Sequence, residues 1–400
     1  MDGPLGQDIR PPATHLASSN VLELTFDILF VFTITQLAKT LARDHSWVGF
    51  AQTVVLVLLM WWTFGSYASL TRSERTRTGR VLLVVGILAN LTLALSIPYA
   101  LTADRLVFAV AYTVVVAVHT ALYLLECDNL SRAGKFQTGL VNGASPAIVL
   151  VGALASGLPV VVWWALAAVV ELALPVVAQW FTPHPATHVP ALSARPDRFV
   201  QRHGVLLLIL LGEAVLTIGV GLGTAFRDLD TGQVLVAVTA VGLAGTLYYA
   251  YFGERDDDAA YRALERTPPH RREGVAMLSF GYAFALMLLG VDFAVAGVHD
   301  VLEDPGAVPA LTFGGYLAGG VGAYWVGLGF FRLAIGRPFA RPRIGFGFAL
   351  GVFAFLGRVS GLSELVALLA LSLLMLAAET FGARRRKQRE TVIAAGRDRP

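Results

Sequence analysis

The chain has 400 residues, of which 56% are hydrophobic and 15% charged, with a mean hydropathy of +0.64; a soluble chain carries roughly a quarter charged residues, so an ordinary soluble domain is excluded. A single cysteine, Cys127, excludes an internal disulfide and a cysteine metal cluster. The net charge of +3 says less than where the charges lie, because they fall between long apolar blocks.

The first twenty residues, "MDGPLGQDIRPPATHLASSN", are polar and carry proline. They lack the apolar core of a signal peptide, so 1–20 is expected to be a loose cytoplasmic tail and the first membrane helix to direct insertion. Apolar blocks then follow at about 21–41, 47–69, 80–100, 105–126, 138–156, 159–181, 203–224, 233–252, 274–297, 308–332, 343–357 and 361–382. Roughly twenty residues cross the hydrocarbon, which predicts an all-α membrane protein of about twelve transmembrane helices, the eleventh being short. With twelve spans, 26 of the 31 Lys and Arg fall on the side that holds both termini. Positive charge is retained in the cytoplasm, so a multi-pass protein of a bacterial inner membrane with both termini cytoplasmic is expected.

The first block contains "ELTFDILF" with Asp27, and the seventh contains "LILLGEAV" with Glu213, 186 residues later. Trp61 and Trp62, near the end of the second block, precede Tyr248 and Tyr249 of the eighth by 187. Two parallel six-helix repeats, 21–181 and 203–382, account for both offsets, with 182–202 as a cytoplasmic linker and 383–400 as a basic tail. The cluster "RRRKQR" at 384–389 suits anionic headgroups; nucleic-acid binding is a poor fit for a tail tied to a bilayer.

Polar residues inside the blocks are the candidate site. Glu213 lies about ten residues into its helix, about 15 Å deep, where a charge costs roughly 2.5–3.5 kcal/mol and marks function by default. Asp27 is the second interior acid. Glu23, four residues earlier, shares its helical face, and with Asn20 it also fits an N-terminal capping arrangement. Glu171 and Asn90 lie near the middle of the sixth and third helices. Asp292 and Glu126 read as end-lying groups within reach of interfacial water, and His119 as an interhelical donor. "GVGLG" at 219–223 follows no strand and reads as a surface for close helix approach. The aromatic clusters at 61–67 and 248–252 read as interfacial belts. His184 and His188 are interrupted by proline and do not make a metal site. No metal or cofactor motif, nucleophilic serine motif or nucleotide fingerprint is present.

The stretches "ELTFDILFVFTITQL" (23–37), "WWTFGSY" (61–67) and "QRHGVLLLILLGEAVL" (201–216) resemble the low temperature requirement protein A family of bacterial membrane proteins. The resemblance covers the whole chain and its helix count. It implies that Glu23, Phe26, Asp27, Arg202, Gly204, Gly212 and Glu213 match the family pattern. Gln201 and His203 depart from it, as do Ser73, Glu74 and Arg75 after the second helix. The family is linked to growth in the cold, which names a phenotype and no reaction.

The expected function is a proton-coupled secondary transporter of a small solute. Glu213 would carry the proton, Asp27 would hold substrate or a second proton, and Arg202 or His203 would bias the carboxylates. Two alternatives belong to other classes: a non-transporting membrane scaffold or sensor for cold tolerance, and an intramembrane enzyme acting on lipid. The enzyme is not favoured, since neither nucleophile nor metal set is visible. Acids that share one polar chamber would favour transport; scattered acids, each with its own partner, would favour the scaffold.

Overall fold

The computed structural model describes residues 21–44, 46–68, 76–126, 132–181, 196–222, 230–308, 315–356 and 359–397. Among these residues every regular element is helical. The helices are α1 (Val21–Arg43), α2 (Trp47–Ala68), α3 (Arg77–Ser96), α4 (Arg105–Glu126), α5 (Arg132–Leu154), α6 (Val160–Phe181) and α7 (Pro196–Leu222). They continue with α8 (Thr231–Tyr248), α9 (Asp256–Arg266), α10 (Pro269–Ala276), α11 (Phe284–Glu303), α12 (Tyr316–Ala334), α13 (Ala340–Leu356) and α14 (Gly361–Arg397). Two π-helical segments, Tyr249–Gly253 and Met277–Ala283, follow α8 and join α10 to α11.

Each of the twelve expected blocks coincides with a helix, the ninth with the continuous run from α10 to α11. Eight described stretches are long and apolar enough to cross a membrane, and Thr138–Leu154 and Val160–Ala173 are shorter apolar helices. The chain is therefore a polytopic helical membrane protein. The expected boundaries shift in two places. α7 begins at Pro196, so 196–202 is helix and not linker, Pro196 being a residue suited to a first helical turn. α14 runs to Arg397, so 384–389 continues the last membrane helix. The short eleventh span is α13, 17 residues long.

Local chemistry sets several ends. Thr76 caps α3 by accepting from the Gly79 N–H at 2.9 Å, and Pro98 sits in the 3-10 turn that follows this helix. Asp230 and Gln233 form a reciprocal capping box at α8. At the start of α12 the acceptor comes from another helix: Ala318 N–H donates to Glu364 Oε1 on α14 at 3.1 Å. Arg255, at φ 57°, turns the chain sharply into α9.

Glycine spacing sets the tightest packing. Gly290 and Gly297 on α11 lie seven apart, two helical turns, and so share a face. A Cβ at Gly290 would sit 2.4 Å from the Tyr324 backbone nitrogen, and one at Gly297 2.6 Å from that of Leu317. Gly322 on α12 and Gly347 on α13 approach each other in the same way. Small residues let membrane helices touch backbone to backbone, and α11, α12 and α13 form such a block. "GVGLG" does not serve as expected at its first glycine: a Cβ on Gly219 would meet nothing within 4 Å. Close approach needs small residues on both helices, and no partner faces Gly219 among the described residues.

Neighbours follow a related order in the two halves. α1 packs on α2 and α3, α2 on α6, α3 on α4 and α4 on α5. In the second half α7 packs on α8 and α11, α8 on α14, α11 on α12 and α12 on α13. The halves also differ, since α9 and the π segments have no counterpart among the described residues of the first.

Candidate functional site

The halves meet where α1, α2 and α7 face the π segment before α11. Asp27 on α1 and Arg202 on α7 are both buried, and Arg202 Nη2 donates to Asp27 Oδ1 at 3.0 Å. The next residue, His203, is 1% exposed. Its Nδ1 lies 2.8 Å from the Phe199 carbonyl, so this nitrogen is the donor. Rings of Trp61, Phe64, Phe199, Phe280 and Phe284 enclose it at centroid distances of 4.4–5.8 Å. Trp61 is thus core and not interfacial belt; its indole donates to the Gly281 carbonyl at 2.7 Å. Phe64 and Tyr251 are buried as well, while Tyr248 and Tyr249 are exposed, as belt residues are. Tyr282 donates to the Leu172 carbonyl at 2.7 Å. The π segment therefore has two hydrogen bonds into the first half. A π turn carries an extra residue that disturbs the helical ladder and frees carbonyls for outside donors.

Within the first half, α4, α5 and α6 converge on Glu171. Tyr112 donates to Glu171 Oε1, and its hydroxyl lies 2.9 Å from Ser145 Oγ. Tyr112 and Ser145 are buried, and Glu171 is 8% exposed. Glu171 Oε2 is buried without a hydrogen-bond partner among the described residues. No cation pairs with this acid among the described residues, so its stabilisation rests on neutral donors. Phe108 stacks on Trp164 at 4.6 Å and on Tyr112 at 6.2 Å between ring centroids. Asn90 on α3 is 1% exposed and His119 on α4 is buried; Asn90 Oδ1 and His119 Nδ1 have no hydrogen-bond partner among the described residues. Among the described residues, neither a donor to that nitrogen nor an acceptor for it comes from another helix.

The sequence candidates therefore fall into separate groups. Asp27 and Arg202 are brought together; Glu171 meets Tyr112 and Ser145; no described contact joins these groups or adds Asn90. Glu213 lies on α7 and Glu23 on α1, with both side chains outside the described residues, as is that of Glu126. His184 and His188 fall outside them altogether.

A third polar group was not singled out from sequence. Asp256 at the start of α9 receives Arg332 Nε at 2.6 Å and Arg337 Nε at 3.1 Å. Arg343 on α13 makes a bidentate pair with Glu379 on α14, both bonds 2.7 Å. Arg332 Nη1 to Glu379 Oε2 and Arg343 Nη1 to Asp256 Oδ2, at 3.5 and 3.6 Å, close the lattice. The π segment after α8 joins in, as the Ala250 carbonyl accepts from Arg343 Nη1 at 3.0 Å. Arg332 and Arg343 are 1% and 0% exposed, although the charge distribution by sequence counts them as loop charges. A signal was present: "FFRLAIGRPFARPR", "GERDDD" and "AAETFG" all sit at helix ends on one predicted side. Planar guanidinium forks match carboxylates in two-point contacts, which makes this lattice a lock between helices.

Asp292 on α11, which reads from sequence as an end-lying group, is placed differently by the fold. It is 1% exposed, and neither carboxylate oxygen has a hydrogen-bond partner among the described residues. The block ended at 297, but the helix continues to Glu303, which places Asp292 deeper than an end-lying group.

Comparison with known proteins agrees with this architecture. Over 304 residues the chain is 26% identical to an uncharacterized protein of Rhizobium meliloti (strain 1021), RA0937, covering 74% of this chain and 73% of that one. No solved structure matches. The model of the bacterial low temperature requirement A protein family matches residues 18–379, and so spans α1 to α13, the first half of α14 and all of the buried polar groups described above. The chain belongs to the bacterial low temperature requirement A protein family.

Proposed function

We propose that the protein is a proton-linked secondary transporter of a small solute in the bacterial inner membrane, with both termini cytoplasmic. The observation that carries this reading is the state of Glu171: an interior acid bonded through one oxygen to Tyr112, with the other oxygen buried and unpartnered among the described residues. Interior membrane carboxylates without a permanent cation are costly, and they recur where protons are relayed. The tyrosine hydroxyl can donate to or accept from that acid as its proton comes and goes. The related order of neighbours in the two halves supports two parallel six-helix repeats, the plan of many carriers. Glu213 remains the acid that the sequence assigns to the second half. The basic end of α14, beyond the span Gly361–Arg384, would rest against anionic headgroups.

The test uses pyranine-loaded proteoliposomes exposed to a small-molecule extract of bacterial cytosol. Extract-dependent proton movement is expected with the native protein and is expected to fall at least tenfold, about 1.4 kcal/mol, in Glu171→Gln. Proton movement that the substitution leaves intact removes Glu171 from the mechanism; none with the native protein sinks transport.

A scaffold role has two supporting observations: the charge-balanced lattice of Asp256, Arg332, Arg343 and Glu379, and the separation of Asp27, paired with Arg202, from Glu171, bonded to Tyr112, which is the scattered arrangement expected of a scaffold. It makes the opposite prediction for the same variant: Glu171→Gln would lower thermal stability and leave growth at low temperature intact.

A further inference from the structure

Asp292 belongs neither to the lattice nor to the Glu171 cluster, and its surroundings narrow what it can do. α11 commits its other faces to packing. Gly290 and Gly297 abut α12. Val291, Ala294, Val295 and Val298 line a small apolar cavity of about 40 Å³ shared with α7 and α8. Asp292 is left to the side where α11 meets α1, the seam between the halves, and faces the backbone of Ala38. The Ala38 N–H lies inside α1 and is engaged by its own helical ladder, so it gives neither oxygen a proper hydrogen bond. The carboxyl stands eleven residues before the end of α11, about 16 Å along the axis.

Charged groups with described side chains on the packed elements do not compensate it; those of Glu23 and Arg43 on α1 and Glu213 on α7 lie outside the described residues. α2 and α8 carry none among their described side chains. On α1, Asp27 is paired with Arg202 of α7, and Lys39 is exposed; on α7, Asp197 and Arg198 lie a turn beyond Arg202. On α12, Arg332 is held in the lattice, and on α14 Glu364 bonds Ala318 and Glu379 bonds Arg343. On α11 itself, His299 and Glu303 pair with each other, and Asp300 is near them at the end of the helix. No ion pair with Asp292 occurs among the described residues.

From this placement we propose that Asp292 is a proton-binding site at the seam between the halves. The inference rests on the proton-linked reading and deepens it, adding an acid of the second half that faces a helix of the first. A metal ion would need several oxygen ligands, and one carboxyl among apolar neighbours does not supply them; a proton needs one. The site sits where α1 and α11 meet, so gain or loss of the proton changes the interaction between the halves.

The experiment treats native membranes containing the full chain with dicyclohexylcarbodiimide. This reagent dissolves in hydrocarbon and adds to neutral carboxyl groups. The carboxyl oxygen bonds the central carbodiimide carbon, its proton passes to nitrogen, and the adduct rearranges to a stable N-acylurea with nothing released. Peptide mass spectrometry is expected to find the adduct on Asp292, with labelling several-fold lower in alkaline than in acidic buffer. Absence of the adduct, or labelling that ignores pH as a sealed structural acid would, overturns the proposal. So does protection by sodium ion at fixed pH, which would make the ligand a metal cation. The readout is independent of flux. A protein that labels as expected but moves no protons would sink transport alone; one that moves protons but does not label would sink the Asp292 assignment alone.

Discussion

Helices α4, α5 and α6 close the first half of the chain, and α12, α13 and α14 close the second. In the first, Tyr112, Ser145 and Glu171 tie the three together with neutral donors around one acid. In the second, Arg332, Arg343 and Glu379 do so with opposed charges, and Trp325 adds a 3.3 Å bond to Ser372. The backbones differ too. Gly290 and Gly322 bring neighbouring helices into main-chain contact, whereas Gly86 in the first half faces, among the described residues, the side chain of Val118. The same rank order of helices has thus been finished in two ways. A charge-balanced lattice on glycine-tight helices resists rearrangement, because moving one helix exposes an unpaired buried charge. A neutral cluster around a single acid can change protonation without such a penalty.

Three substitutions and one control probe this contrast. The largest effect is expected for Arg343→Ala, which leaves Glu379 and Asp256 short of a cation. Breaking a buried pair from one side costs about 3–5 kcal/mol, to be read as a large fall in thermal unfolding temperature in detergent. A small change would mean that the lattice is not the lock described here. Next, Gly290→Ala places a methyl group 2.4 Å from a backbone nitrogen that cannot yield; overpacking of this kind costs about 1–3 kcal/mol. Gly86→Ala is the control, meeting a side-chain carbon at 3.2 Å, and is expected to cost less. Equal losses at the two sites would erase the packing difference between halves. The smallest effect is expected for Tyr112→Phe. It keeps the ring between Phe108 and Glu171, and Ser145 stays within reach of the acid. The loss should be about 0.5–1.5 kcal/mol in the same unfolding assay, and a loss as large as that of Arg343→Ala would make the cluster structural.

What the sequence made legible is what local chemistry decides. Long apolar runs become helices wherever they lie, so the twelve blocks were found, and an acid within such a run was visible as unusual at Asp27 and Glu171. Partners were harder. Asp27 and Arg202 are 175 residues apart, and only the folded bundle brings them into one pair. The arginine lattice was hidden because Arg332 and Arg343 lie at block edges, where the same letters describe a solvated loop charge or a buried one. Asp292 was misjudged because hydropathy ended its block early. Trp61 was assigned to the interface because aromatic residues near a helix end are common there, yet a carbonyl freed by a π turn gave its indole a partner inside.

That π turn also sets rotational phase. Each residue of an α-helix advances the face by about 100°, so one extra residue in Met277–Ala283 determines the direction in which everything after it points. Shortening the segment to plain α-helix would swing Gly290, Asp292 and Gly297 off their present bearings by roughly that angle, with bulkier neighbours turned toward α12. A single-residue irregularity near one membrane face thus keeps the long helix beyond it indexed to two partners at once.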